Sequence, residues 1–197
     1  MRALYSIRPK WCEKIARGEK TIEVRKTAPK EVPFKGYIYA TRPKKYYKCG
    51  AVITSDELLW LANGKVEMGD GFKFWADGDE CQCLNGLIIG EFTCDKIEKI
   101  VFTGNRYLIA GKDEAYTNKV ANESCLDFDD LVNYLGDKGG YALHISDLKI
   151  YDKPKELSEF SKVCPYYDDC ENCKHKSENC KEWREIKRPP QSWGYIR

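Results

Sequence analysis

Three side chains near the start of the sequence have the types and spacing needed for anion binding or acid–base chemistry: Lys20, Glu23 and Arg25. Lys20 and Arg25 carry donors that suit a phosphate, a carbonyl or a developing oxyanion. Glu23 can orient Arg25, accept a hydrogen bond from the exocyclic amine of a base, or act as a general base. The alternative is a solvated ion pair on an exposed strand face, worth less than about 1 kcal/mol.

The residues around these charges predict a helix, a turn and a strand. Residues 8–17 are expected to form a short helix, and Pro9 suits its first position because no N–H is needed there. Gly18 can end this helix in the left-handed conformation. The pattern then alternates, which predicts a strand that points Glu23 and Arg25 to the same face, with the lysine at the turn.

Further polar, basic and aromatic residues could extend this site. The segment before the motif could supply a basic rim, and residues 42–48 interleave basic side chains with tyrosines. Basic side chains can follow phosphates, while aromatic rings can stack on unpaired bases. The alternatives are exposed charges and a solvated turn whose tyrosines pack on the domain. The candidates are Ser6, Arg8, Lys10, Thr41, Lys44 and Tyr46.

One histidine and two carboxylates in later strands are weaker candidates for chemistry. A lone histidine in an alternating strand, such as His144, is more often a packed and hydrogen-bonded residue than an acid–base catalyst. Glu91 and Asp95 in a neighbouring strand are the further carboxylates, for which surface exposure is the alternative.

Four of the ten cysteines are crowded near the C-terminal end of the sequence, in a Cys-x₅-Cys-x₂-Cys-x₆-Cys arrangement. Four thiolates with one close pair suit a tetrahedral zinc ion, and a segment this polar cannot form an apolar core of its own. With four protein ligands the predicted zinc is structural. Two disulfides or free thiols are the alternatives. The predicted ligands are Cys164, Cys170, Cys173 and Cys180, with His175 as a substitute ligand.

The composition excludes a general DNA-coating protein. Charged residues make up 32% of the 197 residues, yet the formal net charge is only +2. Any basic nucleic-acid surface must therefore be local. The sequence has no apolar run long enough to span a bilayer and no apolar stretch typical of a secretion signal. We expect a cytoplasmic protein with no membrane partner.

Many short alternating segments and few helices predict an α+β, mainly β fold: a small, partly closed β-barrel flanked by short helices. Residues 127–135 are predicted to form a helix with Phe128, Leu131, Val132 and Leu135 on its buried side, and residues 58–62 a shorter one. Residues 103–123 show no clear period and are expected to be a surface excursion. The expected organisation is a β-barrel domain over 1–153, a Cys-rich zinc-binding segment over 154–185, and a strand over 186–197 that returns to the barrel.

The pattern Gly18-x-Lys20-x-x-Glu23-x-Arg25 is similar to the Gly-x-Lys-x-x-Glu-x-Arg motif of ASCH domains, which belong to the PUA-like superfamily. The resemblance covers most of residues 1–153 and implies a PUA-like β-barrel. Further segments also resemble the family. Residues 4–10, 37–41, 89–94 and 140–145 look like ASCH strands, and residues 188–196 look like the closing segment of many ASCH proteins.

The resemblance implies that the protein binds RNA or a modified nucleotide or nucleobase in a cleft beside the motif strand. It also implies two enzymatic alternatives in which Lys20 and Glu23 would be catalytic. Some ASCH relatives hydrolyse the amide of N-acetylated cytidine with a motif lysine and a threonine three residues later; Lys20 matches that lysine, but Glu23 stands at the threonine position. Another relative is described as a ribonuclease that depends on a motif lysine. A different alternative is an adaptor that contacts another protein through its zinc tail.

Overall fold

The described part of the chain is organised around two β-sheets that face each other. The computed structural model describes residues 1–42, 85–163 and 184–197 with their side chains, and the backbone of five short strands between residues 52 and 82. In chain order the elements are β1 (Arg2–Ile7), α1 (Pro9–Ala16), β2 (Ile22–Arg25), β3 (Phe34–Ala40), β4 (Val52–Ile53), β5 (Leu58–Leu59), β6 (Glu67–Met68), β7 (Lys73–Ala76), β8 (Asp79–Gln82), β9 (Ile88–Cys94), β10 (Ile97–Phe102), β11 (Tyr107–Ile109), α2 (Glu114–Ser124), α3 (Phe128–Leu135), β12 (Gly140–His144), β13 (Ser146–Lys155) and β14 (Trp193–Tyr195).

The first sheet has five strands in the order β13-β9-β3-β1-β14, and the second has four in the order β11-β10-β12-β2. Strands β1 and β3 are parallel, whereas the other pairs in both sheets are antiparallel. Consecutive strands pass from one of these sheets to the other at β1–β2, β2–β3, β9–β10 and β12–β13. The mainly β, α+β class predicted from the sequence is confirmed. The strands of the described residues close into no barrel, which corrects the predicted barrel.

Three apolar clusters hold these layers together. The central cluster fills the space between the sheets and includes Tyr5, Ile7, Phe92 and Leu143, with α1 packed against it. A second cluster covers the outer face of the four-stranded sheet with side chains from α2 and α3. A third covers the outer face of the five-stranded sheet and contains Ile196, 5% exposed, from the C-terminal end. Each sheet is therefore buried on both faces over part of its width.

The first helix matches the sequence prediction closely. Pro9 begins α1, and Gly18 follows its last turn with φ +75°. A left-handed residue at this position favours glycine because any Cβ would be strained. The chain then reverses into β2, which places the motif on the four-stranded sheet.

The predictions for two other segments need correction. The predicted surface excursion over 103–123 contains β11 and the helix α2, whose N-cap Asp113 accepts a hydrogen bond from the backbone N–H of Tyr116 at 2.8 Å. The helix predicted over 58–62 is wrong at its start, where β5 pairs with β4. An aspartate at an N-cap was the sequence signal for α2, since its carboxylate satisfies a free backbone donor of the first turn.

The predicted helix after Asp127 is present as α3, but its buried side is narrower than expected. Asp127 caps the helix, and Leu135 is 3% exposed. Phe128 and Val132, predicted to be buried, are 50% and 40% exposed. Leu131 is half-buried against the outer cluster. Because α3 has only eight residues and Leu135 is the one that is buried, two of its apolar side chains remain at the surface.

The C-terminal residues return to the sheet through β14. This strand pairs antiparallel with β1 at the edge of the five-stranded sheet, where Tyr5 lies opposite Trp193. Isolated bridges join Ser161 to Glu185 and Lys162 to Ile196. The segment that would bind zinc, residues 164–183, lies outside the described residues, so the zinc prediction and the proposed domain boundaries stay predictions.

Candidate functional site

The motif residues lie on the inner face of the four-stranded sheet. In the β2–β12 pairing, Glu23 is opposite Leu143 and Arg25 is opposite Tyr141. Leu143 belongs to the central cluster and Tyr141 packs against it, so the two charged side chains point between the sheets. Alternation along β2 sends the intervening Val24 to the opposite face, where α2 and α3 cover it. The predicted shared face of Glu23 and Arg25 is therefore present, and it is an interior face.

Lys20 is a buried ammonium held by backbone carbonyls. Its Nζ donates hydrogen bonds to the carbonyl oxygens of Ile22 at 2.8 Å and Ser124 at 2.6 Å, and lies 3.5 Å from Oε2 of Glu23. Ser124 is the last residue of α2, so the ammonium satisfies one of the carbonyls left free at a helix C-terminus. Lys20 thus fastens α2 to the motif turn as well as pairing with the motif carboxylate.

Glu23 is the centre of the cluster because it contacts both cations. Its Oε1 lies 2.9 Å from Nε of Arg25, in an ion pair whose angle does not make it a hydrogen bond. Its Oε2 faces Lys20. A carboxylate can accept about four hydrogen bonds. Within the residues that the structure describes, Glu23 therefore retains unused acceptor capacity.

Arg25 bridges the two sheets and the C-terminal segment. Its Nη2 donates to the carbonyl oxygen of Ser6 on β1 at 2.9 Å, and its Nη1 donates to the carbonyl and hydroxyl oxygens of Ser192 at 3.2 and 3.3 Å. The Ser6 hydroxyl in turn donates to the carbonyl oxygen of Pro190 at 2.6 Å. Residues 190–193 therefore cover the guanidinium.

The cluster is closed to solvent in this conformation. The exposed fractions are 2% for Lys20, 6% for Glu23 and 5% for Arg25. Burial lowers the pKa of Lys20, while the Glu23 carboxylate beside it opposes that shift. Trp11 is the half-buried neighbour of the ammonium, with its ring centroid 5.3 Å from Lys20 Nζ and 4.3 Å from Nζ of the exposed Lys10.

A tyrosine and a cysteine that the sequence did not single out border the same interior space. Tyr5 on β1 is fully buried, and its ring centroid lies 5.5 Å from the Arg25 guanidinium carbon. Its hydroxyl has no hydrogen-bond partner among the described residues. Burial raises the pKa of Tyr5 and of the Cys12 thiol above their ordinary values, and Glu23 reinforces both shifts. Neither residue belongs to the motif: the pairing of β1 with its neighbours reveals Tyr5, and the buried side of α1 reveals Cys12.

The other predicted rim residues are only partly brought to this cluster. Ser6 contacts Arg25 directly, and Lys10 reaches it through the Trp11 ring. Arg8 is exposed at the N-cap of α1, and Thr41 is half-buried with its backbone N–H bonded to the carbonyl oxygen of Ile7 at 2.9 Å. Lys44 and Tyr46 lie outside the described residues, so their part in a site stays a prediction.

A second polar cluster forms on the outer face of the four-stranded sheet. His144 Nε2 lies 2.7 Å from Oε2 of Glu98, which also accepts a hydrogen bond from the Tyr116 hydroxyl at 3.0 Å. Nζ of Lys96 lies 3.1 Å from the other oxygen of Glu98. Burial raises the pKa of Glu98, but the hydrogen bonds from these three groups outweigh it and hold the pKa below its usual value. His144 is therefore a hydrogen-bonded residue that helps to hold α2 on the sheet.

The two carboxylates suggested for the neighbourhood of His144 lie elsewhere. Glu91 bonds to Lys35 at 2.7 Å and to the Tyr151 hydroxyl at 2.6 Å, and these two hydrogen bonds lower the pKa of Glu91. Asp95 is exposed between β9 and β10. The carboxylate that does pair with His144 is Glu98, which was not singled out from the sequence. Strand alternation could have found it, because Glu98 and Ile100 lie on the same face of the sheet as Ala142 and His144.

No group of three or more histidine, cysteine or acidic side chains in the described ranges could hold a metal ion. The predicted zinc ligands Cys164, Cys170, Cys173, Cys180 and His175 all fall in the undescribed segment. Among the described residues, none of the helices is long and apolar enough to cross a membrane.

Comparison with known structures identifies the fold. A crystal structure of an ASCH protein from Zymomonas mobilis matches with a TM-score of 0.51 and 16% identity, covering 100% of this chain and 87% of that one. The chain has the ASCH fold. A crystal structure of a tyrosine-to-phenylalanine variant of the Zymomonas mobilis protein also matches, with a TM-score of 0.51 and 17% identity. That match covers 100% of this chain and 90% of the variant. No family model and no curated protein matches the chain.

The ASCH fold inferred from the motif and its flanking strands is thus confirmed. Identities of 16% and 17% establish the fold alone, because one fold can carry many functions. Any activity must therefore be argued from the buried Lys20–Glu23–Arg25 cluster itself.

Proposed function

We propose that this protein is a member of the ASCH family that binds RNA or a modified nucleotide through the interior cluster of Lys20, Glu23 and Arg25. The observation that carries the proposal is the unused acceptor capacity of a buried carboxylate held between two cations. Buried polar groups normally find partners, so the spare acceptor capacity of a buried carboxylate needs an explanation, and the one proposed is a ligand that donates to it. A nucleobase offers such a partner in its exocyclic amine.

The chemistry of the surrounding groups supports a nucleotide over a purely apolar ligand. The Trp11 ring centroid lies 4.3 Å from Nζ of the exposed Lys10 and 5.3 Å from Nζ of the buried Lys20, so a base that stacks on this ring would have basic side chains beside it. Aromatic stacking and a nearby ammonium are a common pairing for unpaired bases and their phosphates. In this proposal Trp11 and residues 190–193 form the cover that moves when a ligand enters.

Binding is proposed ahead of the two hydrolase alternatives because of how Lys20 is held. An amidohydrolase or a ribonuclease that works through this lysine needs its Nζ to reach the substrate. Here the Nζ already donates to the carbonyl oxygens of Ile22 and Ser124. Such an enzyme would have to break both hydrogen bonds, whereas a ligand recognised by Glu23 needs neither to change.

The test compares Glu23→Gln with Glu91→Gln by ligand-induced thermal shift, using the four nucleoside 5′-monophosphates and a short single-stranded RNA. Both substitutions keep the side-chain size, and both remove a partly or fully buried carboxylate with a lysine partner. We expect wild type and Glu91→Gln to be stabilised by the same ligands and Glu23→Gln to lose most of that stabilisation. Equal responses of all three proteins would exclude Glu23 from the site.

The zinc tail is proposed as a structural element that positions the C-terminal strand. A folded metal segment between residues 163 and 184 would fix the start of the strand that packs over Arg25. Elemental analysis of the purified protein should return one zinc per chain. Absence of zinc together with cysteines that do not react with a thiol reagent would favour disulfides.

A further inference from the structure

The Tyr5 hydroxyl is a buried donor without a partner. Tyr5 is 0% exposed, and its ring packs against Phe34 and Trp193, with centroid distances of 6.1 and 6.0 Å. No described residue accepts a hydrogen bond from its hydroxyl. A phenylalanine would fill the same apolar space without leaving a polar atom unsatisfied, so packing does not explain why the residue is a tyrosine.

The Tyr5 hydroxyl and the Glu23 carboxylate border the same space between the two sheets. Tyr5 stands on the inner face of β1, and Glu23 stands on the inner face of β2 across the same interior space. The Arg25 guanidinium connects the two, because it lies over the Tyr5 ring and also contacts Glu23. A donor without a partner among the described residues and a carboxylate with unused acceptor capacity therefore border the same interior space, and a single planar guest could bond to both.

Resting on the function proposed above, we infer that Tyr5 is a specificity-determining residue, whose hydroxyl donates to a ring acceptor of a bound base while Glu23 accepts from that base's exocyclic amine. Cytosine and adenine both carry an amine next to a ring nitrogen that can accept. Uracil has a carbonyl oxygen in place of the cytosine amine, and that oxygen would face the carboxylate unfavourably. The ligand class is therefore a nucleotide with an exocyclic amine.

The apo protein provides a test that needs no ligand. If the hydroxyl forms a hydrogen bond only when a ligand is bound, Tyr5→Phe removes an unsatisfied buried polar group from the apo protein. The melting temperature should then stay the same or rise. If an ordered water satisfies the hydroxyl as part of the fold, the same substitution should lower the melting temperature. A lower melting temperature would overturn the inference.

The ligand test uses the matched pair cytidine 5′-monophosphate and uridine 5′-monophosphate, with binding measured by calorimetry. Wild type should bind the cytidine nucleotide more tightly. Tyr5→Phe should lose about tenfold in affinity for it, as expected for one hydrogen bond from a buried donor. Glu23→Gln should lose the preference for cytidine, because the glutamine amide can also donate to the uracil carbonyl.

The outcomes separate this inference from the function on which it rests. Failure of wild type to bind any of the four nucleoside monophosphates or the short RNA would overturn both. Binding by wild type that Tyr5→Phe leaves unchanged would overturn the role of Tyr5 alone and leave the nucleotide site standing. A preference for uridine over cytidine in wild type would overturn the assignment of Glu23 as the acceptor of an exocyclic amine.

Discussion

Lys20 should be one of the most costly lysines to remove from this protein, although a lysine at a turn is usually a surface residue. Its Nζ donates to the carbonyl oxygens of Ile22 and Ser124 and faces Glu23 at 3.5 Å, with a side chain only 2% exposed. Lys20→Met keeps the length of the apolar stem and removes the charge. It leaves two carbonyl oxygens without this donor and Glu23 with Arg25 as its remaining cation.

The size of the effect follows from that geometry. Removing one partner of a buried charge pair destabilises by about 3–5 kcal/mol, because the other charge stays buried. For a protein of this size, 1 kcal/mol shifts the melting temperature by about 2–4 °C, so the expected fall is roughly 6–20 °C. The double variant Lys20→Met/Glu23→Gln removes both members of the Lys20–Glu23 pair, so its loss should be smaller than the sum of the two single losses.

The control for Lys20→Met is Lys35→Met, because Lys35 pairs with Glu91 at 2.7 Å but has a side chain that is 44% exposed. An exposed pair contributes less than about 1 kcal/mol, so the melting temperature of Lys35→Met should change by only a few degrees. The measurement is urea and thermal unfolding followed by circular dichroism. If Lys20→Met proves as stable as Lys35→Met, then the ammonium does not hold α2, and the structural reasoning about this cluster is refuted.

Two further predictions concern the packing of the sheets and the outer polar cluster. Gly36→Ala should destabilise the protein by about 1–3 kcal/mol, because an added Cβ would stand 2.3 Å from the buried Phe92 ring. The control Gly194→Ala should be close to neutral, because the nearest atom to its added Cβ is 3.7 Å away. Equal melting temperatures of the two variants would contradict this packing argument. Glu98 has a lowered pKa in the folded state, so it stabilises the protein above the ordinary value of 4.5, and this contribution is lost as the pH falls through the lowered pKa. The melting temperatures of wild type and Glu98→Gln should therefore differ at pH 7 and converge below pH 4.5; a difference that stays constant with pH would exclude ionised Glu98 as the cause.

Local rules predicted the motif strand well. The alternation of residues 22–25 placed Glu23 and Arg25 on one face, and Gly18 ended α1 with positive φ as expected. Both features depend on a few neighbouring residues and on backbone geometry that is the same in every protein. The sequence therefore predicted which charged side chains would meet.

The sequence could not predict that these side chains would be buried. The groups that enclose them come from distant positions: the carbonyl of Ser124 lies 104 residues after Lys20, and Ser192 lies 167 residues after Arg25. Alternation assigns a side chain to a face and says nothing about what packs on that face. The usual rule that charged residues are exposed failed here because each charge found a partner.

The helix α2 was missed for a related reason. Only Val120 and Ser124 are buried in it, so its eleven residues carry little apolar periodicity. Polar contacts add to the small apolar contact of α2 with the sheet: the Tyr116 hydroxyl bonds to Glu98, and the carbonyl oxygen of Ser124 accepts from Lys20. A helix attached in this way gives a weak hydrophobic signal, and the Asp113 cap was its clearest sign.

The double role of Lys20 determines which experiments can separate recognition from stability. Besides the bond from Lys20 to Ser124, the N–H of Thr21 donates to the carbonyl oxygen of Glu123 at 3.0 Å, so the motif turn and the end of α2 are joined over several residues. Loss of binding in a Lys20 variant would therefore follow from displacement of α2 as readily as from a lost ligand contact. Tyr5→Phe removes only a hydroxyl that has no partner among the described residues. If Tyr5→Phe loses binding while its melting temperature is unchanged, the loss comes from a missing hydrogen bond to the ligand.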